Sequence, residues 1–236
     1  MNKFLIAAIA AFVLCSSEKP QTKISSFTAN LSKTKIQLFW KDAKGNRFNS
    51  ISKVKKQLES RGKTPLCIMN GGMFQKDFSP QGLYIENGKT LAKLDVSNAS
   101  GNFYLKPNGV FYITSDAKAH VRETSKFVAS DKVNYATQSG PMLVVDGKIH
   151  PAFSEGSKNV NIRNGVGILA NGNVLFAISE EPINFYDFAR FFKDAGCANA
   201  LYLDGFVSRA YIPSGDRVDG DGNFGVMIAV ISDPIK

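Results

Sequence analysis

The order of apolar and polar residues predicts a chain made mostly of short strands. Ile36, Leu38 and Trp40 recur at every second position of "KIQLFW", which places them on one face of a strand. Two other runs, "VLFAIS" (174–179) and "VMIAVIS" (226–232), are continuously apolar. Strands of that kind are covered on both faces, so we expect them to be central in a sheet.

Two segments instead show the spacing of amphipathic helices. The first covers residues 50–62, with lysines on its polar face and Gly62 to end it. The second covers residues 184–196, with Asn184 as N-cap and Gly196 at its end. The side chains expected to face the core are Ile51, Val54 and Leu58 in the first helix and Phe185, Phe188 and Phe192 in the second.

Four pairs of the Asn-Gly or Asp-Gly type separate apolar runs and predict hairpin turns. Such pairs accept the positive φ angles that tight turns need. They are Asn87-Gly88, Asn108-Gly109, Asp146-Gly147 and Asn171-Gly172. Many short strands and a few helices together predict one α+β domain with a mixed, largely antiparallel β-sheet.

The N-terminus has the pattern of a signal peptide. "MNK" is a short basic start, and residues 4–14 form an apolar run that is too short to span a bilayer. We expect cleavage after Ser17; lipid anchoring at Cys15 is the disfavoured alternative, because a bulky leucine precedes that cysteine. The chain is thus divided into a signal peptide, 1–17, and a domain, 25–236, without a transmembrane segment, and the protein is expected to be periplasmic or secreted.

Positive charge is concentrated in one segment. The formal net charge is +9, and residues 32–63 hold ten Lys or Arg against Asp42 and Glu59, which gives +8 for that segment. A solvated basic face is the favoured interpretation, with an anionic envelope surface or an acidic glycan as alternatives. Export and the lack of a recognition motif argue against nucleic acid.

The sequence offers little support for a metal or a cofactor. Cys67 and Cys197 either pair in an oxidising compartment or stay as buried thiols. His120 and His150 lack zinc-site spacing. Residues 219–223, "DGDGN", begin like a calcium loop, but the later glycine and glutamate are missing, which favours a polar turn. We therefore expect no cofactor, and a divalent cation has too few ligands in the sequence.

Glycine motifs at the ends of predicted strands are the best candidates for a binding cleft, because glycine lets main-chain amides approach a ligand closely. Asp204 directly follows the apolar residues 201–203, so the strand delivers a carboxylate from the interior to an edge. Its alternative role is that of a turn-forming Asp-Gly pair. Arg163 suits a phosphate or a carboxylate, or is simply the ion-pair partner of Asp204. The four motifs are "MNGGMF", "SGPML", "RNGVGI" and "LDGFVS".

Longer motifs in the same order resemble the phosphodiester glycosidase family. They are "MNGGMF", "SPQGLYIENGK", "NFYLKPNGVFYI", "ATQSGPMLVVDGKIHP", "RNGVGI" and "CANALYLDGFVS". The eukaryotic member of the family is the uncovering enzyme of lysosomal targeting, an N-acetylglucosamine-1-phosphodiester alpha-N-acetylglucosaminidase, and the likeness is greater to the small exported bacterial branch. The resemblance covers residues 25–233, nearly the whole predicted domain.

The resemblance implies hydrolysis of a glycosyl phosphodiester at the anomeric carbon of the sugar. Much of the family has further glycines after its L-D-G motif, where this chain has Phe206 and Val207. This departure either narrows the pocket or changes which sugar fits. The positions that match family motifs are Asn70, Gly71, Gly140, Arg163, Asp204 and Gly205.

The reaction assigns roles to these residues. Its transition state resembles an oxocarbenium ion, while negative charge grows on the departing phosphate. Arg163 and the glycine-loop amides are expected to hold the phosphate, and Asp204 to face the sugar as nucleophile or base. Asp77, Glu180 and Glu181 are candidates for a second carboxylate in the substrate site. The sequence leaves a retaining and an inverting outcome open.

Two other function classes compete with this hypothesis. The main alternative is a non-catalytic periplasmic binder of anionic glycans or polymers that uses the same cleft. A purely structural envelope protein is disfavoured, because it leaves the polar glycine motifs unexplained. The expected partner is in either leading case a carbohydrate, here a glycan phosphodiester substrate.

Overall fold

The computed structural model describes residues 23–204 and 207–232. Two α-helices, α1 (Ile51–Ser60) and α2 (Phe185–Asp194), accompany a large number of short strands. In chain order the strands are β1 (Ile24–Ala29), β2 (Lys35–Phe39), β3 (Thr64–Gly72), β4 (Tyr84–Glu86), β5 (Lys89–Ala92), β6 (Gly109–Thr114), β7 (Ala119–Glu123), β8 (Val133–Ser139), β9 (Met142–Val145), β10 (Lys148–Ile149), β11 (Asn164–Leu169), β12 (Val174–Ser179), β13 (Cys197–Tyr202), β14 (Ala210–Ile212), β15 (Arg217–Val218) and β16 (Val226–Ser232).

The strands form three antiparallel sheets. Sheet A has the order β1-β12-β11-β13-β9-β10, sheet B the order β15-β14-β3-β16-β2, and sheet C the order β5-β4-β8-β6-β7. All strand pairs between described residues are antiparallel. The expectation of largely antiparallel strand pairing is therefore confirmed, whereas the expected single, mixed sheet is replaced by three antiparallel sheets. Twisted open sheets rarely exceed about ten strands, so a chain with this many strands divides them among several sheets.

One hydrophobic core lies between the three sheets. Phe111 of sheet C, Phe176 of sheet A and Ile228 of sheet B belong to this central cluster. The outer face of sheet A is covered by α2, and that of sheet B by α1. Sheet C is covered on its outside by loop residues that include Phe127. The class is therefore β-rich, with the two helices serving as covers, rather than clearly α+β.

Both predicted helices are confirmed. The apolar face of α1 is buried, and the glycine after it, Gly62, has a positive φ of 66°. In α2 the Oδ1 of the N-cap Asn184 accepts a hydrogen bond from the main-chain N–H of Asp187 over 2.8 Å. Gly196 follows with a φ of 88°, as a helix-ending glycine should. The helix residues predicted to face the core are buried.

The predictions for strands and turns are mostly confirmed. Strands β12 and β16 are central in their sheets, and three of the four glycine pairs lie in hairpin turns. The pair Asn108-Gly109 is the exception, and the prediction of a turn there was wrong. Asn108 is buried and donates from its amide to the main-chain carbonyl of Phe103 over 2.8 Å, and Gly109 is paired in β6 with Glu123 and Ser139.

The two cysteines within the described part of the chain are free thiols. Cys67 is in the central core and Cys197 is under α2, so they belong to different clusters. The predicted signal peptide with Cys15, and Gly205 of the L-D-G motif, lie outside the described residues. Between residues 23 and 232, neither helix is long and apolar enough to cross a membrane.

Candidate active site

Ends of strands from all three sheets meet at one end of the molecule. Asn164, the first residue of β11 in sheet A, donates from Nδ2 to the main-chain carbonyl of Asn70 in sheet B over 2.8 Å. Ser139, the last residue of β8 in sheet C, donates from Oγ to the carbonyl of Leu203 over 2.6 Å. The side chains of Asn70, Ser139 and Asn164 are all buried. Their hydrogen bonds therefore fix the relative positions of the three sheets at this end.

Asp204 lies in the middle of this junction, two residues after the end of β13. Its main-chain N–H donates to Oδ1 of Asn164 over 3.1 Å. Its carbonyl accepts from Nδ2 of Asn70 over 2.8 Å and from Oγ of Ser208 over 2.9 Å. The residue itself is half-buried. The main chain of Asp204 is thus held on both sides by buried amides, two residues beyond the end of β13.

Asn164 and Ser208 are members of the junction that the sequence did not single out. Oδ1 of Asn164 accepts from both Asp204 and Ser208, while its Nδ2 serves Asn70. Both residues are almost fully buried, at 0% and 2% exposure. Asn164 stands directly beside Arg163 in "RNGVGI". The signal that could have found it is an asparagine at the start of an otherwise apolar strand, because buried amides need partners.

Arg209 is a cation of the junction that sequence reasoning also missed. Its main-chain N–H donates to Oδ1 of Asn70 over 3.1 Å. Its Nη1 donates to the carbonyl of Ser208 over 3.0 Å, and its Nε forms an ion pair with Asp221 over 3.1 Å. The Arg209 side chain is 43% exposed. An exposed ion pair of this kind is weak, so the guanidinium can exchange Asp221 for another anion.

Arg163 is placed differently from the expectation that it faces a ligand. Its side chain is fully buried, with Nε donating to the carbonyl of Ile183 over 2.8 Å and Nη2 to the carbonyl of Asn159 over 2.8 Å. The guanidinium carbon lies 3.6 Å from the ring centroid of Phe185 in α2. Burial lowers the pKa of Arg163, and the hydroxyl of Tyr202 partly offsets this. Asp204 is not among the hydrogen-bond acceptors of Arg163 in the described residues.

Close packing explains why Gly71 and Gly140, two of the glycines predicted to bind substrate, have to be glycine. A Cβ on Gly71 would lie 2.5 Å from Cγ1 of Ile228. A Cβ on Gly140 would lie 2.7 Å from Cβ of Asn108 and 2.8 Å from the carbonyl oxygen of Phe103. Real Cβ atoms do not approach other atoms so closely. Both positions therefore require glycine for the approach of other protein segments, whatever a ligand needs.

The remaining candidate carboxylates are not brought to the Asp204 junction by direct hydrogen bonds between described residues. Asp77 is exposed in the loop after β3, and its Oδ1 accepts from the N–H and hydroxyl of Ser79, which lowers its pKa. Glu180 follows β12 at the same end of sheet A as Asn164, and its Oε2 pairs with Nη1 of Arg217 over 3.0 Å. The next residue, Glu181, is exposed.

The structure gives no indication of a metal centre in the described ranges. No cluster of three or more His, Cys, Asp or Glu side chains is found there. In the calcium-like segment, Oδ2 of Asp219 accepts from Nε of Arg217 over 3.0 Å and from the N–H of Ala210 over 3.0 Å. Asp221 pairs with Arg209, as described above. These carboxylates are thus engaged by arginines and by the main chain.

Comparisons with known proteins identify a relative in sequence and others in fold. The chain is 35% identical to the uncharacterised protein YigE of Escherichia coli K12 over 202 residues, which is 85% of this chain and 79% of YigE. Its fold is similar to the catalytic domain of zebrafish N-acetylglucosamine-1-phosphodiester alpha-N-acetylglucosaminidase, which was solved in a form auto-inhibited by its pro-peptide. That likeness has a TM-score of 0.61 at 15% identity and covers 91% of this chain and 84% of the zebrafish chain.

A second solved structure and a family model complete the comparison. A hypothetical protein from Synechocystis is similar with a TM-score of 0.54 at 12% identity, over 89% of this chain and 59% of that one. At such identities these two structures support the fold alone. The family model of phosphodiester glycosidases matches residues 64–230, a range that includes Asn70, Asn164 and Asp204. This protein therefore belongs to the phosphodiester glycosidase family.

Proposed function

We propose that the protein is an exported hydrolase that cleaves a sugar from a phosphodiester in an envelope or extracellular glycan, with Asp204 acting at the anomeric carbon. The family supports the reaction class. The observation that carries the role of Asp204 is that two fully buried asparagines, Asn70 and Asn164, hold its main chain on both sides. Precise placement of a carboxylate is a property of catalytic sites.

The chemistry suits a single well-placed carboxylate. Departure of the phosphate leaves an oxocarbenium-like sugar, whose positive charge a carboxylate stabilises. Asp204 then acts either as the nucleophile or as the base that activates water. A phosphate leaves readily, so the demand for a strong general acid is small. Because the main chain of Asp204 is already fixed, only the side chain has to adjust when substrate binds.

The departing phosphate needs a nearby positive charge, and Arg209 is the residue we assign to it. Its guanidinium is partly exposed, and its main chain is tied to Asn70 in the same junction as Asp204. A phosphate would replace the exposed Asp221 as its partner. Arg163 instead receives a positioning role, because its buried guanidinium joins the segments around Ile183 and Asn159 to the start of β11.

The test is hydrolysis of a panel of glycosyl-1-phosphodiesters by the purified chain, with and without a chelator. The wild-type protein should turn over at least one member of the panel. Asp204→Asn should lower kcat at least about a hundredfold, which is the scale of a lost acid–base or nucleophilic group. Asp131→Asn, which changes an exposed carboxylate on the loop before β8, is the matched control and should match the wild type. Sensitivity to the chelator would add a metal.

Two outcomes would contradict the proposal. Equal turnover by wild type and Asp204→Asn would remove Asp204 from the chemistry. No turnover on any diester, combined with glycan binding by both proteins, would favour the binding module. Binding of substrate by Asp204→Asn at wild-type affinity, with turnover lost, is the result that supports a catalytic role.

A further inference from the structure

Two cations, Lys41 and Arg47, lie directly opposite each other on neighbouring segments. They form an isolated antiparallel bridge just after β2. Residues opposite each other in such a pair project to the same side, and like charges in this arrangement repel. Neither residue forms an ion pair with another described residue. The charge of the exposed Asp77 acts on Lys41 without forming an ion pair, and an anion bound between the two cations would offset their repulsion further.

Each cation rests on an aromatic ring, which fixes its position. Nζ of Lys41 lies 4.0 Å from the ring centroid of Trp40, and Cζ of Arg47 lies 3.9 Å from that of Phe78. The two rings are themselves linked, because Nε1 of Trp40 donates to the carbonyl of Phe78 over 3.0 Å. Phe74 stacks on Phe78 with a centroid distance of 5.3 Å. Both cationic side chains are therefore held in place by cation–π contacts with aromatic residues that also contact one another.

Two further features of this cluster are unusual. Nη1 of Arg47 is buried and has no hydrogen-bond partner among the described residues. Phe78 has a φ of 64°, in the left-handed region that bulky residues rarely adopt. Unpaired buried donors and strained residues concentrate where a protein binds something.

The cluster lies at the same end of the molecule as Asp204. In sheet B, Phe39 is opposite Met227, which is opposite Asn70 on the next strand. Adjacent strands are about 4.8 Å apart, so the chain next to Trp40 is about 10 Å from Asn70 along the sheet. The loop that carries Phe78 also starts directly after Gly72, where β3 leaves the Asp204 junction.

We propose that Lys41 and Arg47 form a second anion site, which binds a phosphate of the substrate beyond the bond that is cleaved. The substrate is then a glycan that carries more than one phosphate, such as a polymer of sugars joined by phosphodiesters. This assignment of the ligand rests on the proposed function. Anion binding by the two residues does not, because it rests on the two like charges that face each other at the Lys41–Arg47 bridge.

The only tryptophan of the chain reports directly on this site. Because Trp40 is the single tryptophan and lies under Lys41, its fluorescence should change when an anion binds. Titration of the full chain with inorganic tripolyphosphate should give a saturable change that weakens as salt is raised. The double variant Lys41→Gln/Arg47→Gln should bind at least about tenfold more weakly, since two charge-assisted contacts are lost.

The matched control is Lys53→Gln/Lys56→Gln, which removes the same charge from the exposed face of α1 and should keep the wild-type affinity. Lys41→Gln alone changes an exposed residue, so its affinity loss tests the site even where the double variant fails to fold. Equal affinity of the wild type and Lys41→Gln, or an equal loss in the control, would overturn the site.

A kinetic comparison separates this inference from the proposed function. Wild-type protein should have a lower KM for a glycan diester with a second phosphate than for its single-phosphate analogue, and Lys41→Gln should remove that difference. Asp204→Asn should bind tripolyphosphate like the wild type. If tripolyphosphate binds as expected but no diester is hydrolysed, the anion site stands and only the proposed glycosidase activity is overturned. If both diesters have equal KM values, the second phosphate of the substrate is not the ligand of this site.

Discussion

The side-chain amide of Asn70 donates a hydrogen bond to the main-chain carbonyl of Asp204 over 2.8 Å, although 134 positions separate them in the chain. Asn70 lies in sheet B, and Asp204 follows the β13 strand of sheet A. Asn164 closes the arrangement by binding both residues. The position of the candidate catalytic carboxylate therefore depends on how two sheets pack, and each contact in the chain of amides can be tested.

Asn164→Ala should lower both stability and activity. The change removes this buried partner from the N–H of Asp204 and from the carbonyl of Asn70, whereas the hydroxyl of Ser208 keeps the carbonyl of Asp204 as its acceptor. We expect a loss of about 2–3 kcal/mol in the free energy of unfolding. Urea denaturation measures that loss. Under conditions in which the variant is folded, its kcat on a diester that the wild type hydrolyses should be lower than that of the wild type.

The matched control for this substitution is Asn171→Ala. Asn171 lies in the exposed turn between β11 and β12, at the opposite end of the strand that begins with Asn164. Its removal should cost less than about 1 kcal/mol and leave kcat unchanged. A wild-type kcat in folded Asn164→Ala protein would show that the placement of Asp204 does not depend on this amide.

Substitutions of Arg163 can distinguish a structural, positioning role from direct binding of the phosphate. Its guanidinium makes flat contact with Phe185 and donates to two carbonyls. In Arg163→Lys the flat contact and the geometry of the donors are lost while a charge stays buried, so we expect a cost of about 3 kcal/mol. Arg163→Met leaves no buried charge and should be no less stable than Arg163→Lys. Thermal and urea unfolding of both variants give the comparison.

A phosphate-binding Arg163 would behave in the opposite way. Lysine would then be the milder replacement, stability would hardly change, and KM for the diester would rise more in Arg163→Met than in Arg163→Lys. That pattern would restore the direct role that the sequence suggested. A shared loss of stability without a specific rise in KM supports the positioning role.

The local parts of the fold were predictable because their signals are local. The buried face of α2 and its Asn184 cap follow from spacing and cap chemistry within one short segment. The division into three sheets was not predictable, since it depends on pairings such as that of Met69 with Ile228, far apart in sequence. Alternation shows that a strand has a buried face, but it does not show which sheet the strand joins.

The same distinction explains the candidate site. The position of Asp204 just after a strand was predicted because the apolar strand and the carboxylate adjoin each other in sequence. Asn164 and Arg209 were missed, because their importance comes from contacts with Asn70 that only the packed sheets create. Arg163 was expected to meet a ligand, but α2 covers it with Phe185, a contact that the sequence alone does not reveal.

Glu86 should give the stability of the protein a distinctive dependence on pH. It accepts a hydrogen bond from the hydroxyl of Tyr84 over 2.6 Å. Burial is nevertheless the larger effect, and it raises the pKa of Glu86 above its usual value of 4.5. The folded state thus binds the proton more tightly than the unfolded state. The contribution of this group to stability is least favourable above the raised pKa and improves as pH falls through it.

Glu86→Gln removes this titration and keeps the shape of the side chain. The free energy of unfolding of Glu86→Gln minus that of the wild type should therefore decrease as pH is lowered from about pH 8 to about pH 5. Urea denaturation of both proteins across that range measures the difference, in which the titration of all other groups cancels. Parallel curves would show that the proton affinity of Glu86 is the same in the folded and unfolded states.

Cys67 and Cys197 should be inert in the folded protein. Both are nearly fully buried, and burial raises the pKa of Cys197 to about 11 and that of Cys67 further above its usual range. The thiolate is the reactive form, so a disulfide reagent such as Ellman's at about pH 8 should modify neither residue until the protein is unfolded in urea. A Cys15→Ser variant restricts the assay to these two thiols. Because the two thiols lie in separate hydrophobic clusters, reductant should not change the urea midpoint of unfolding. Rapid labelling of the folded protein, or a midpoint that falls when reductant is added, would contradict the placement of these thiols.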